Sequence, residues 1–258
     1  MKPLPVILGI DATTGICSVA LGVNGSVRTR TVHQRKGQTS TTLAFADELL
    51  AEAGLGRSAI DAIACTRGPG GFTGVRISTG IGQGLALGLD RPVVGLSTLR
   101  VVAETALQAD AAAAGALVML DARMGEIYGG MFRRGVAEGE STTAAVTGEW
   151  LGAPVSPTLP AGRWIGAGSG FAAYPPLADA TGLIGVWPDC APDMGAAMPL
   201  ARRCLEEGDS LPGERLEPVY LRNRVAQPAQ GFADKAERLG LSSVPGDEAD
   251  GGFPRRRS

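Results

Sequence analysis

Histidine is almost missing from this chain: His33 is the only one among 258 residues. A zinc or iron centre of the hydrolase kind commonly takes two imidazoles at i and i+4 on one helix, and position 37 is glycine. One imidazole is also a thin supply of base for nucleophilic catalysis, and no nucleophile elbow accompanies any serine or cysteine. His33 therefore reads as a surface residue. Cysteine is sparse as well. Cys17, Cys65, Cys190 and Cys204 stand far apart with no CxxC, which excludes metal-ligand spacing and points to reduced thiols in a cytosolic protein. There is no excess of either charge: the formal net charge is -2 and the sequence pI near 5.6, so composition gives no sign of a direct grip on nucleic acid. Long apolar runs are lacking too. The opening MKPLPVILGID is too short for a signal peptide, and Ala111 to Leu120 falls far below a membrane span, so a soluble, cytoplasmic chain with no membrane contact is expected.

What the chain does have is glycine, 38 residues of it, and the most telling arrangement lies between Thr66 and Leu89. An apolar, β-branched run from Ile60 to Thr66 leads into Gly68-Pro69-Gly70-Gly71, and a helical pattern follows from Phe72 or Thr73. A strand, a glycine turn and a helix N-terminus present free backbone N–H groups in a positive field, so an anion or another backbone can come close. Standard nucleotide motifs do not fit. The P-loop needs a lysine where Val75 and Arg76 follow Gly74, and the dinucleotide fingerprint needs a third glycine where Thr73 stands.

The helix that follows carries Gly80, Gly84 and Gly88 at every fourth position, with Gly74, Ser78, Gly82 and Ala86 as a second row of small residues. Each helical glycine costs about 0.8–1 kcal/mol against alanine, so the four from Gly80 to Gly88 cost roughly 3–4 kcal/mol before packing. Two smooth faces offset that cost: one against a sheet, one open to a second helix at short range.

The rest of the chain places this segment in a fold. Val6 to Ile10 is a buried strand, Ile16 to Val23 a second, and Asn24-Gly25 a hairpin turn into a third from Ser26 to Val32. Polar residues 34 to 38 precede an N-cap at Thr39 or Ser40 and a helix ending near Gly54. After the central helix, Pro92 to Gly95 is a fifth strand, and Ser97 caps a helix to about Ala109. This order is that of the ribonuclease-H-like domain of actin-like ATPases. Leu120-Asp121-Ala122-Arg123-Met124-Gly125 then repeats Ile10-Asp11-Ala12-Thr13-Thr14-Gly15 between strands, with Asp and Gly at one common offset, which reads as an internal duplication. In the second half Glu126 to Arg133 continues the meander, 135–162 is polar and proline-bearing, Arg163 to Ala167 is a strand, and Pro192 to Glu207 is a helix. The expected fold class is α/β: two ribonuclease-H-like (actin-like ATPase, ASKHA) domains in tandem with a degenerate active site. The domains are 1–112 and 113–225, followed by a mobile tail over 226–258, poor in apolar residues.

Chemistry-bearing residues are few. Asp11 with Thr13, Thr14 and Ser18 at the first hairpin has two readings: a carboxylate for hydrated Mg²⁺ in a nucleotide site, or a side chain accepting bonds from its own turn. With no second carboxylate or phosphate-directed lysine nearby, the second reading is the better supported. Asp121 has Arg123 two residues on to pair with, and Arg255-Arg256-Arg257 is a short basic end of the solvated kind.

Five stretches together resemble the TsaB (YeaZ) family: Ile10-Asp11, Cys17-Ser18-Val19-Ala20-Leu21, the loop Gly68-Pro69-Gly70-Gly71-Phe72-Thr73-Gly74-Val75-Arg76, Asp121-Ala122-Arg123 with Glu126-Ile127-Tyr128, and Tyr220-Leu221-Arg222. The likeness runs from about residue 6 to residue 225, and the long irregular loop is its most specific part. Gly71 stands where serine is usual. The resemblance implies a non-catalytic, cytoplasmic subunit of the system that makes N6-threonylcarbamoyladenosine at adenosine 37 of tRNA. It implies a TsaD-like homologue as dimer partner, a TsaE-like ATPase recruited to the pair, a homodimer as another resting form, and tRNA met only through the complex. No cofactor is implied beyond weak ATP or ADP-Mg binding, with Asp11 and Thr13 as its contacts. It further implies that helices at about Thr39 to Gly54 and Thr73 to Leu89 build the partner interface as half of a four-helix bundle. Gly74, Ser78, Gly80, Gly84 and Gly88 are the residues expected there. A competing reading from another class is an ATP-dependent phosphotransferase of the acetate- or sugar-kinase type. A metallopeptidase is a third, against which the single histidine argues.

Overall fold

The structure, a computed structural model, describes residues 4–34, 36–137, 140–180 and 182–222. The expected tail over 226–258, Arg255 to Arg257 included, lies outside the described residues.

Strand β1 (Ile7–Asp11) is buried along its whole length because it is covered on both faces. Leu8 and Ile10 point to one side, into a cluster with Leu49, Leu50, Ile63 and Ile81. Ile7 points to the other, among Val94, Met194 and Met198. Alternation along the strand sends successive side chains to opposite faces, so an unbroken apolar run marks a central strand. Gly9 belongs to this logic: a Cβ there would lie 2.4 Å from the Met198 methyl carbon.

Around β1 the first sheet has the order β3-β2-β1-β4-β5, from β2 (Ile16–Val23), β3 (Ser26–His33), β4 (Ala62–Thr66) and β5 (Val93–Leu96). β2 and β3 are antiparallel about the Asn24-Gly25 turn, where both residues have positive φ (50° and 81°), as a two-residue hairpin of this composition requires. β4 runs parallel to β1, with Ile10 opposite Cys65. Three helices follow these strands: α1 (Gln38–Glu52), α2 (Phe72–Leu89) and α3 (Thr98–Ala109). Ser97 caps α3 as expected, its hydroxyl accepting from the Arg100 N–H at 3.3 Å. The start of α1 differs from expectation. Gly37, at φ 71°, holds the cap position, and Thr39 and Ser40 lie in the first turn. The chain leaving β3 turns through a left-handed residue there, which favours glycine over a hydroxyl cap.

The second sheet contains β6 (Gly115–Arg123), β7 (Glu126–Ala137), β8 (Glu140–Ala145), β10 (Trp164–Ala167) and β11 (Gly185–Trp187), with β9 (Trp150–Gly152) paired to β7. Its order is β11-β10-β6-β7-β8, and read from the β8 end it matches the first sheet strand for strand: an antiparallel β6–β7–β8 meander on one side of β6 and parallel β10 and β11 on the other, so the topology is duplicated. The two copies also exchange helices. α3, from the first half, buries Leu99, Val102, Ala103 and Ala106 against Ala116, Val118 and Phe132 of the second sheet. α4 (Met198–Glu206), from the second half, sets Met198, Leu200 and Ala201 among Ala62, Ala64 and Val94 of the first. The exchange joins the two sheets into one packed unit that runs to Leu221.

Residues 135–162, polar and proline-bearing, carry the end of β7 and the whole of β8 and β9, where the sequence pattern assigns no element. One expectation in the second half is corrected. The expected helix over Pro192 to Glu207 is helical only from Met198. Asp193 folds back on its own turn, accepting from the Gly195 N–H at 2.7 Å, and the Met194 N–H donates to the Ser18 hydroxyl at 3.0 Å. Those bonds compete with helix formation and seat Met194 against Gly9. Among the described residues no helix is long and apolar enough to cross a membrane.

A candidate partner groove beside a closed carboxylate site

The Gly68–Gly71 loop is filled by the chain's own backbone. A Cβ on Gly70 would sit 2.8 Å from the carbonyl oxygen of Thr13, and one on Gly74 2.4 Å from that of Ala12. The Thr13 carbonyl accepts from the Gly71 N–H at 3.0 Å. Of the two occupants the loop suits, anion or backbone, the β1–β2 turn is the one in place. Pro69, Phe72, Thr73 and Arg76 complete the loop and the first turns of α2, with Phe72, Thr73 and Arg76 exposed.

Asp11 lies beneath this turn, fully buried. Its Oδ1 accepts from the Thr13 N–H at 3.2 Å, the Thr13 hydroxyl at 2.6 Å and the Thr66 hydroxyl, while its Oδ2 has no partner among the described residues. Thr66 in turn meets the Ser78 hydroxyl at 3.0 Å, and Thr98 donates to Thr13 at 3.2 Å. Burial pushes the Asp11 carboxyl up to about 6 against the pull of its hydroxyl donors. A magnesium–nucleotide site asks for a carboxylate open to hydrated metal and for free amides beside it. Here the carboxylate is sealed, its surroundings are hydroxyls, and the Thr13 and Gly71 amides are spoken for. The donor set does not fit that group. Among the described residues no cluster of three histidine, cysteine or acidic side chains has metal-binding placement.

The second copy of the hairpin is different again. Asp121 pairs with Arg123 at 2.9 Å, as the spacing suggested, and its N–H donates to the Ser169 hydroxyl. His33 is exposed and lines a 550 Å³ cleft with Thr14, Leu120, Ser169 and Cys190.

On α2 the two rows of small residues separate cleanly. Gly82 faces inward, its absent Cβ 2.6 Å from the Cys65 sulfur, while Gly80, Gly84 and Gly88 have nothing within 4 Å among the described residues. Gly74 and Ser78, expected on the partner face, point the other way: Gly74 against Ala12 and Ser78 buried on Thr66. Since a helix places i and i+4 on one face, Gly74 and Ser78 share the row of Gly82 rather than that of Gly80.

Gly80 and Gly84 of the open row line one wall of a 730 Å³ groove whose other wall is α1, through Thr39 and Leu43. Ile77, Ile81 and Leu85 form its floor and sides, and Phe72 with Arg76 closes one end. At that end the Arg76 guanidinium lies 3.7 Å over the Phe72 ring, and its Nε donates to the Tyr220 hydroxyl at 2.9 Å. Tyr220 arrives on a strap that crosses α2 from one end to the other. Gly213 abuts Ala86 and Leu87, the Gln83 side-chain amide donates to the Leu216 carbonyl at 2.7 Å, and the Val219 N–H donates to the Arg67 carbonyl at 2.7 Å. Sequence reasoning marked Phe72 and Arg76 but attached no role to Tyr220. The signal available was its place in the Tyr220-Leu221-Arg222 stretch of the resemblance, which carries no role for the ring.

The tandem sheets and the exchanged helices define a protein of the actin-like ATPase fold. Comparison with known proteins narrows the class. Residues 35–156 match the family model of TsaD, the tRNA N6-adenosine threonylcarbamoyltransferase. The tRNA threonylcarbamoyladenosine biosynthesis protein TsaB of Escherichia coli (strain K12) is 38% identical over 227 residues, which are 85% of this chain and 96% of the relative. The solved structure of YeaZ from Pseudomonas aeruginosa superposes with a TM-score of 0.76 at 32% identity, covering 84% of this chain and all of that one. A shorter match, 45% identical over 53 residues, joins 20% of this chain to 15% of the tRNA N6-adenosine threonylcarbamoyltransferase of Nitratidesulfovibrio vulgaris (strain DP4). The chain belongs to the TsaB (YeaZ) family of tRNA threonylcarbamoyladenosine biosynthesis proteins.

Proposed function

We propose that this chain acts without chemistry of its own, as the dimerisation subunit of the complex that makes N6-threonylcarbamoyladenosine at adenosine 37 of tRNA. A TsaD-like homologue seats on the α1–α2 groove, the pair supports recruitment of a TsaE-like ATPase, and tRNA is met through the assembled complex. Residues 1–112 carry the partner surface. The observation that carries this reading is the open glycine row: among the described residues Gly80, Gly84 and Gly88 have nothing within 4 Å, and Gly80 and Gly84 line a largely apolar 730 Å³ groove. A helical glycine that touches nothing loses stability for no internal return, whereas a partner helix at short range supplies the missing contacts.

The chain's own relatives support this kind of partner. The TsaD family resemblance spans residues 35–156, a stretch that includes both α1 and α2. A partner built on the same helix pair meets this one across an approximate two-fold axis, packing two helices on two. The phosphotransferase reading draws no support from the sealed Asp11.

Co-purification with the organism's TsaD-like protein tests the proposal. Gly84→Leu places a branched side chain in the groove of a helix that tolerates leucine. The expected result is loss of the complex with the far-ultraviolet circular dichroism and melting of the isolated chain preserved. A Gly84→Leu chain that still co-purifies in full overturns it.

A further inference from the structure

One charged side chain lines the otherwise apolar and hydroxyl-bearing groove between α1 and α2, and it is Arg76. Its guanidinium is not a free surface group. It lies 3.7 Å over the Phe72 ring and 6.0 Å from the Tyr220 centroid, and Nε is fixed by the Tyr220 hydroxyl at 2.9 Å. Phe72 and Tyr220 brace each other at 5.9 Å between centroids, and both remain well exposed, at 44% and 40%. Among the described residues no carboxylate reaches Arg76, although Arg57 on the same half takes Asp47 at 2.7 Å. Within those residues the two terminal nitrogens, the pair that forms a fork for a planar anion, are left without a hydrogen bond.

We propose that Arg76, oriented by Phe72 and Tyr220, is the charged anchor of the groove and binds a carboxylate carried by the helix of the docked protein. The inference rests on the docking reading above and adds the chemistry of its contact. An apolar helix bearing an aspartate or glutamate at the position that meets the Phe72 end fits both parts of the surface. The aliphatic row packs on Gly80 and Gly84, and the carboxylate takes the two terminal nitrogens of the fork. Because the ring and the hydroxyl hold the guanidinium in place before binding, little side-chain freedom remains to be lost on docking. Tyr220 and Phe72 act here as positioning residues. The strap that carries Tyr220 is tied to the loop by the bond from the Val219 N–H to the Arg67 carbonyl, so the anchor assembles only when the C-terminal strap is seated. A carboxylate is favoured over an RNA phosphate because Phe72 is already covered by Arg76 and the adjoining groove is apolar.

Titration calorimetry of the full chain against the TsaD-like protein, at low and at physiological salt, tests the anchor. Arg76→Met keeps the apolar stem and is expected to weaken binding about tenfold and to flatten its dependence on salt. Arg76→Lys keeps the charge but not the fork, so the salt dependence remains while affinity falls by a smaller factor. Tyr220→Phe keeps the ring, loses the acceptor for Nε and is expected to give a loss between wild type and Arg76→Met. A charge-reversed Arg76→Glu chain is expected to regain binding from a TsaD-like variant with lysine at the contacting acidic position. Wild-type affinity and salt slope in Arg76→Met, with Gly84→Leu still abolishing the complex, overturn the anchor and leave the groove standing. Loss in neither variant overturns the docking reading itself. Weakened RNA binding by Arg76→Met with partner affinity unchanged assigns Arg76 to a phosphate and overturns the proposal.

Discussion

The Cβ that Gly74 lacks would stand 2.4 Å from the carbonyl oxygen of Ala12. The first turn of α2 therefore rests directly on the turn after β1, and no larger residue fits between them. Gly74→Ala is expected to cost about 1–3 kcal/mol, as for other overpacked sites that cannot relax, because the obstructing atoms are backbone. Gly80→Ala on the same helix meets open space and is expected to add stability, up to about 1 kcal/mol from helix propensity. Urea unfolding of the two variants gives the comparison. Equal effects of one sign would mean that the two rows of α2 do not face opposite ways.

Asp11 makes the stability of the fold depend on pH. Its carboxyl titrates near 6 in the folded chain because burial disfavours the charge, against 3.8 for the ordinary group. Below about pH 4 both states hold the proton, and between about 4 and 6 the folded state holds it while the unfolded state releases it. Stability from this group therefore falls as pH rises through that window and is level above it. A carboxyl raised from 3.8 to about 6 changes stability by about 3 kcal/mol at most. Asp11→Asn removes the titration, so the variant is expected to match wild type best near pH 4 and to exceed it in stability near pH 7.5. Denaturant titrations at the two pH values read the difference. Parallel curves for the two proteins from pH 4 to 7.5 would refute the buried, protonating carboxylate.

Much of this architecture was legible because periodicity and turn chemistry agree. Continuous burial from Ile7 to Asp11, the positive φ of Asn24 and Gly25, and the cap at Ser97 each follow from residue type alone. β8 was not legible, because what holds it is not apolar. Thr142 and Thr143 are buried, and both the N–H and the hydroxyl of Thr143 donate at 2.7 Å to Glu104 of α3, a carboxylate distant in sequence. A strand seated by polar bonds to a remote helix leaves no alternation to read. The candidate site divides in the same way. The spacing displays one row at Gly80, Gly84 and Gly88 and another at Gly74, Ser78 and Gly82, but which of the two is open depends on where the β1–β2 turn and Cys65 lie. The role of Tyr220 depends on a strap whose course no local pattern records.

That strap supplies the last prediction. Gly68 adopts φ 110°, and a Cβ there would lie 2.5 Å from the Val219 carbonyl oxygen, so alanine is both strained in itself and obstructed by the strap. Gly68→Ala is expected to lift Val219 from the Arg67 carbonyl and to release Tyr220 from Arg76, at a cost of about 1–3 kcal/mol. Hydrogen exchange reads the event locally: the Val219 amide, protected by a 2.7 Å bond, should exchange faster, while amides within β1 and β4 change only as far as global stability does. Tyr220→Phe is the control, since it frees the Arg76 Nε without touching the Val219 bond and should leave that amide protected. Faster exchange at Val219 in Tyr220→Phe would show that the bond to Arg76, and not the glycine loop alone, holds the strap, and unchanged exchange in Gly68→Ala would show that the loop does not hold it.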